Sequence, residues 1–115
     1  METDCIFCKI AAGKLGTEFL YESDEIVAFR DINPKAPTHI LIIPRRHIPR
    51  ITDLQESDEK LVGRMVTVAN ILAEKEGLKE SGFRLIFNCG RDSGQEVFHI
   101  HLHLLGGRPF HWPPG

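Results

Sequence analysis

No apolar run in these 115 residues approaches the roughly 20 that a membrane helix needs. Charge of one sign is also scarce. Fourteen Lys and Arg stand against 16 Asp and Glu, a net −2, and the pI is about 6.3. The electrostatic footprint of a nucleic-acid binder is therefore missing. Arg45, Arg46, His47 and Arg50 form the only basic cluster, and Pro49 breaks it. Three cysteines are odd in number and poor material for a disulfide framework. The Met1–Asp4 segment is polar and acidic, unlike a signal peptide, so the expectation is a cytoplasmic protein without membrane or nucleic-acid partners. Repeats, low-complexity tracts and Ser/Gly linkers are absent too, and the length suits one domain over 1–115.

What is present is a soluble composition, 42% hydrophobic and 26% charged, with a core within reach at this size. Local patterns predict a short helix over Asp4–Ala12, capped by Thr3 or Asp4 and ended by Gly13. Strands are expected at Glu18–Tyr21, Glu25–Arg30 and Thr38–Ile43, the last stopped by Pro44. A long helix over Ser57–Glu76 starts at a Ser57 cap, with Leu61, Val62, Met65, Val66, Ala69, Leu72 and Ala73 as its apolar stripe and Gly77 at its end. Two more strands are expected at Phe83–Asn88 and Glu96–Leu105, joined by a hairpin-type loop at Gly90–Gly94. Residues 106–115, with three prolines and three glycines, form an irregular tail. The expectation is an α+β fold: about five mainly antiparallel strands with one long and one short helix.

Six histidines are many for this length, and three fall in His99-Ile-His-Leu-His103. On a strand His99, His101 and His103 share one face, while Ile100, Leu102 and Leu104 share the other. A metal site, acid–base and nucleophilic chemistry on a phosphate or acyl group, and a solvated His-rich face are three readings. Neighbours on that face lie about 6.7 Å apart, so the first and third histidines suit a single ion poorly. An imidazole is a competent nucleophile at neutral pH once one nitrogen is free and the other is held by an acceptor.

His99-Ile-His-Leu-His-Leu-Leu105 resembles the signature of the histidine triad nucleotide-binding family, in its Hint branch. Ile6-Phe7, Phe29-Arg-Asp-Ile32, Ala36–Pro44, Asn88, Gly94-Gln95 and the Leu105–Gly115 tail extend the likeness along nearly the whole chain. The resemblance implies a hydrolase that releases AMP or GMP from purine nucleoside phosphoramidates through a nucleotidyl-histidine. In that picture His101 is the nucleophile, oriented by the His99 carbonyl; His103 contacts the phosphate and His39 completes the cluster. Asn88 and Gly94 match phosphate-contacting positions. Asp31 matches a ribose-binding position, though Asp also suits the turn before Pro34. Ile6, Phe7, Ile10, Phe29 and Ile32 correspond to an apolar slot for the purine. Glu96 stands where relatives carry Ser, and either handles the leaving-group proton or faces solvent. The tail with Trp112 implies a homodimer in which it reaches the partner's site.

Cys5-Ile-Phe-Cys8 has zinc-ligand spacing. The resemblance adds His47 and His99 as the other two ligands of a structural zinc, with no cofactor required for the chemistry. A redox pair or plain buried cysteines are the other readings, and Cys89 is expected to be a packed residue. Hydrolysis of dinucleoside polyphosphates, nucleotidyl transfer, a nucleotide-binding interaction module and a small zinc-binding interaction domain are the competing functions.

Overall fold

The computed structural model describes residues 4–115. Its sheet has five antiparallel strands in the order β1-β2-β3-β5-β4, made of β1 (Tyr21–Glu22), β2 (Ile26–Arg30), β3 (Thr38–Pro44), β4 (Phe83–Phe87) and β5 (Leu102–Gly106). Two α-helices accompany it, α1 (Ile6–Ala11) and α2 (Glu59–Lys75). The α+β expectation holds.

All seven residues of β3 are buried, because both faces of the sheet are covered. On one face Ile26, Ala28, Ile40, Ile42, Leu102 and Leu104 pack with the α2 stripe. On the other, Val27, Phe29, Leu41 and Ile43 pack with Phe7, Ile10 and Ala11 of α1. The buried stripe of α2 is Leu61, Met65, Val68, Ala69, Leu72 and Ala73. Val66 is exposed and Val62 only half-buried, so the expected stripe lies one step too far round and omits Val68. Gly77, with φ of 75°, ends α2 as expected: Leu78 N–H reaches the Ala73 carbonyl (2.9 Å) and Gly77 N–H the Glu74 carbonyl (3.1 Å).

Several boundaries differ from expectation for local reasons. The cap of α1 is Cys5, whose Sγ accepts from Cys8 N–H (3.3 Å); Asp4 does not serve, and Thr3 lies outside the described residues. Ser57 does not cap α2 because Glu56–Asp58 forms a 3-10 turn. There the Asp58 carboxylate accepts from Gln55 N–H (2.9 Å) and pairs with Arg46. The first strand is Tyr21–Glu22, because Ser23 Oγ accepts from Glu25 N–H and Ile26 N–H and turns the chain tightly into β2.

The largest difference is at the last strand. Its ladder with β3 runs only to Ile42↔Leu102. Two residues on from Ile42 lies Pro44, which has no N–H to offer, so regular pairing stops. Residues 96–101 lie outside regular structure instead, with Ile100 N–H bonded to the Ile48 carbonyl (2.8 Å). The β4–β5 connection is therefore the long segment 88–101, not the short loop expected at Gly90–Gly94. Buried Gln95 fastens it: its side chain accepts from Gly90 N–H and donates to the Pro49 and Val97 carbonyls. At the other end β5 takes in Gly106, and 107–115 form neither helix nor strand.

Candidate active site

Only His103 of the three histidines lies within β5; His99 and His101 precede it in extended chain. The alternation survives, since Ile100, Leu102 and Leu104 still enter the α2-side core. His39 of β3 joins the histidine face, and the rings form a row: His101 to His103 at 4.9 Å between centroids, His103 to His39 at 5.2 Å.

Backbone groups set the tautomer of each ring. Lys35 N–H donates to His39 Nδ1 (3.0 Å), so the proton of neutral His39 is on Nε2, which donates to His103 Nδ1 (2.9 Å). The proton of His103 is thereby left on Nε2, a buried atom with no partner. Such a donor costs stability unless something polar arrives. His101 Nδ1–H donates to the His99 carbonyl (2.8 Å), leaving the Nε2 lone pair free. His99 Nε2–H donates to the Pro44 carbonyl (2.7 Å), which turns its Nδ1 lone pair to the sulfurs of Cys5 and Cys8. Burial holds all four neutral. It pushes His103 and His99 down to about 4 and lowers His39 and His101; the His99 carbonyl, Asp31 and Glu96 partly offset the effect on His101.

Two cavities meet at this row. A polar cleft of about 530 Å³ is lined by Asp31, Asn33, Lys35, His39, Asn88, Glu96 and His103, among others. An apolar pocket of about 280 Å³ is lined by Ile6, Phe7, Ile10, Phe29, Ile32, Leu41 and His101, among others. Asp31, Glu96 and His103 line both. Phe7 stands edge-on to the His101 ring at 5.0 Å. Asp31 serves the turn foreseen for it and also lies in the site. Its Oδ1 accepts from Asn33 N–H (2.8 Å) as a turn residue, and Oδ2 stands 3.5 Å from His39 Nε2 at the junction. Glu96 is exposed yet lines both cavities. Gly94 lies in the 88–101 connection with φ of 86° and is not among the residues lining either cavity. Trp112 is 83% exposed. Thr17, Lys35 and Val97 also line the site and carry no motif that would have singled them out.

Behind the row, Cys5, Cys8, His47 and His99 place one donor atom each within 4.8 Å of one another. Cys5 Sγ is 3.4 Å and Cys8 Sγ 3.5 Å from His99 Nδ1, and Cys8 Sγ is 3.3 Å from His47 Nδ1. With Zn–S of about 2.3 Å and Zn–N of about 2.0–2.1 Å, a tetrahedron has S···N edges of about 3.5 Å. The donor set and its spacing fit a zinc ion.

Residues 4–109 match the family described as scavenger mRNA decapping enzyme C-terminal binding. A solved HIT family hydrolase from Legionella pneumophila superposes with a TM-score of 0.95 at 53% identity, covering 97% of this chain and all of that one. The chain belongs to the histidine triad (HIT) family. Another histidine triad protein, from Clostridium difficile, gives a TM-score of 0.92 at 42% identity over 96% of each chain. Among curated proteins, the purine nucleoside phosphoramidase of Escherichia coli K12 is 52% identical over 109 residues, 95% of this chain and 92% of its own length. The triad of this HIT protein is the His99, His101, His103 run, and its backbone-fixed tautomers give it one free nucleophilic nitrogen beside one free donor.

Proposed function

We propose that this HIT protein is a nucleoside phosphoramidase that releases AMP or GMP from purine nucleoside phosphoramidates. One observation carries the reading: His101 Nε2 is free and unprotonated while its other nitrogen is held by the His99 carbonyl, next to the unpartnered Nε2–H of His103. His101 Nε2 attacks the α-phosphorus, and the P–N bond breaks as the new N–P bond forms. The amine leaves with a proton drawn from the water of the open cleft, and the water that attacks in the second step returns one to solvent. Water then attacks the nucleotidyl-histidine, its oxygen goes to phosphorus, and His101 is regenerated. The His99 carbonyl faces the positive charge that the substituted imidazole carries, and the His103 N–H stabilises a phosphoryl oxygen. His39 keeps the His103 proton on that side. Asn88, in the wall of the polar cleft, serves the phosphate, Asp31 the ribose hydroxyls, and Glu96 the leaving-group side. Ile6, Phe7, Ile10, Phe29 and Ile32 take the purine.

Zinc held by Cys5, Cys8, His47 and His99 would tie α1 to the triad loop as a cross-link, outside the bond-making steps. The protein acts as a homodimer in the cytoplasm, without nucleic-acid or membrane partners. Two features support the dimer: β4 is an open sheet edge whose five residues are all incompletely covered, and Trp112 stands in water. For the membrane, no helix among the described residues is long and apolar enough to cross one.

The test is AMP release from a fluorogenic adenosine phosphoramidate by wild type and His101→Ala, run beside a dinucleoside polyphosphate. Wild type turns over the phosphoramidate faster and the variant not at all. A folded wild type that binds AMP but turns over neither substrate overturns the reading in favour of a binding module.

A further inference from the structure

His99 belongs to two sites at once. Its ring Nδ1 faces the sulfurs of Cys5 and Cys8, its ring Nε2–H is held by the Pro44 carbonyl, and its own carbonyl holds His101 Nδ1–H at 2.8 Å. Whatever anchors the Nδ1 side of that ring therefore helps to fix the carbonyl that orients the nucleophile. The same two cysteines bracket Ile6 and Phe7 on α1. A helix of six residues does not hold itself in water, and the side chain that caps this one is Cys5 itself. Phe7 stands edge-on to His99 at 6.0 Å and to His101 at 5.0 Å, and with Ile6 and Ile10 it walls the apolar pocket. His47, the fourth donor, sits in the chain just past β3, next to Ile48, whose carbonyl receives the Ile100 amide at 2.8 Å. One cluster thus reaches the wall of the base pocket, the loop under the triad and the carbonyl behind His101.

We propose that zinc bound by Cys5, Cys8, His47 and His99 is energetically coupled to the nucleotide site, making these four positioning residues for the reaction: the metal fixes α1 against the pocket and, through His99, the orientation of His101. The nature of the nucleotide rests on the phosphoramidase reading; the coupling rests on the shared residue. Linkage makes it reciprocal, so AMP tightens zinc binding by the factor by which zinc tightens AMP binding. A cross-link that only stabilised the fold would leave both affinities independent.

The experiment compares zinc-loaded protein, protein stripped by a chelator, and Cys8→Ser, each first checked for native circular dichroism. Calorimetry gives the AMP affinity of each, and chelator competition gives the zinc affinity with and without saturating AMP. Nitrogen-15 shifts report the His101 tautomer, and kcat and KM are separated. Coupling in the usual range predicts AMP affinity lower by about fivefold or more in the stripped protein, with an equal factor on zinc. The His101 ring should move from one tautomer towards a mixture, and both KM and kcat should change. Cys8→Ser should behave as the stripped protein whether or not zinc is added, and Cys8→His, which keeps a metal donor, should recover AMP affinity on zinc addition. A folded stripped protein with unchanged AMP affinity and His101 spectrum overturns the proposal, as does a chain that takes up no zinc. If stripping unfolds the chain, the competition measurement on the loaded protein decides, and a zinc affinity indifferent to AMP overturns it. Zinc-loaded protein that shows the reciprocal factor yet cleaves no phosphoramidate supports the coupling and refutes the phosphoramidase reading alone.

Discussion

Replacing His103 with Asn should make the protein less sensitive to acid, even though it removes a donor from the proposed phosphate site. Burial, with the neighbouring His101 and His39, pushes the His103 imidazole down to about 4 in the folded chain, against about 6.5 when unfolded. The sign follows from linkage. Above about pH 6.5 neither state binds the proton and the group is silent. As the pH falls below that value the unfolded chain takes up a proton that the folded chain refuses, so stability drains away until about pH 4, where the folded form protonates as well. Integrated from about pH 7.5 to about 4.5, the loss is about 2–3 kcal/mol. His103 opens on the polar cleft, and screening by water there reduces this to about 1–2 kcal/mol. His103→Asn deletes the titration, and its amide oxygen can still accept the His39 proton. Urea unfolding of both proteins at fixed concentration across this pH range is the assay. Wild-type stability minus variant stability should fall by about 1–2 kcal/mol from the neutral to the acid end, since carboxylates elsewhere titrate in both and cancel. A difference that stays flat would refute a buried, neutral His103.

Three further outcomes are expected. Gly106→Ala should cost about 1–3 kcal/mol in chemical unfolding, because its Cβ would stand 2.5 Å from Leu78 Cδ1, a buried side chain that closes the end of α2. Asp31→Asn should weaken AMP binding by about 1.5–3 kcal/mol in calorimetry, with melting temperature little changed, because the amide oxygen keeps the Asn33 contact while the charge offered to a ribose is lost. Light scattering should return about twice the 13.0 kDa chain mass, and Trp112 fluorescence should shift to the red on dilution into monomer.

Much of the site was written in short-range pattern. The i, i+2 spacing of His99, His101 and His103 and the Cys5-x-x-Cys8 pair are one-dimensional signals, and both clusters assembled where those signals put them. The α2 stripe was readable because helical period repeats over 17 residues, though one slip of phase exchanged Val66 for Val68. The strand carrying the triad was read too long because the residue that ends its ladder, Pro44, belongs to a different strand. Nothing local announces that. The same holds for Thr17 and Val97, which enter the apolar pocket only because the sheet and α1 bring distant segments together. Why Cys5 caps α1 is equally invisible in a sequence that offers Thr3 and Asp4 just before it.

The imidazole protons of this site are assigned by the main chain: the amide of Lys35 and the carbonyls of His99 and Pro44. Side chains mutate one at a time, whereas a peptide group moves only when the path of the chain moves. Neighbouring residues can therefore drift, and base or leaving-group preference with them, without reassigning a single proton. The corollary for engineering is a strict one. Grafting the histidines onto another sheet would transfer the rings but not their protonation, which travels with the turn at Lys35, the Pro44 end of β3 and the 96–101 segment that leaves the ladder.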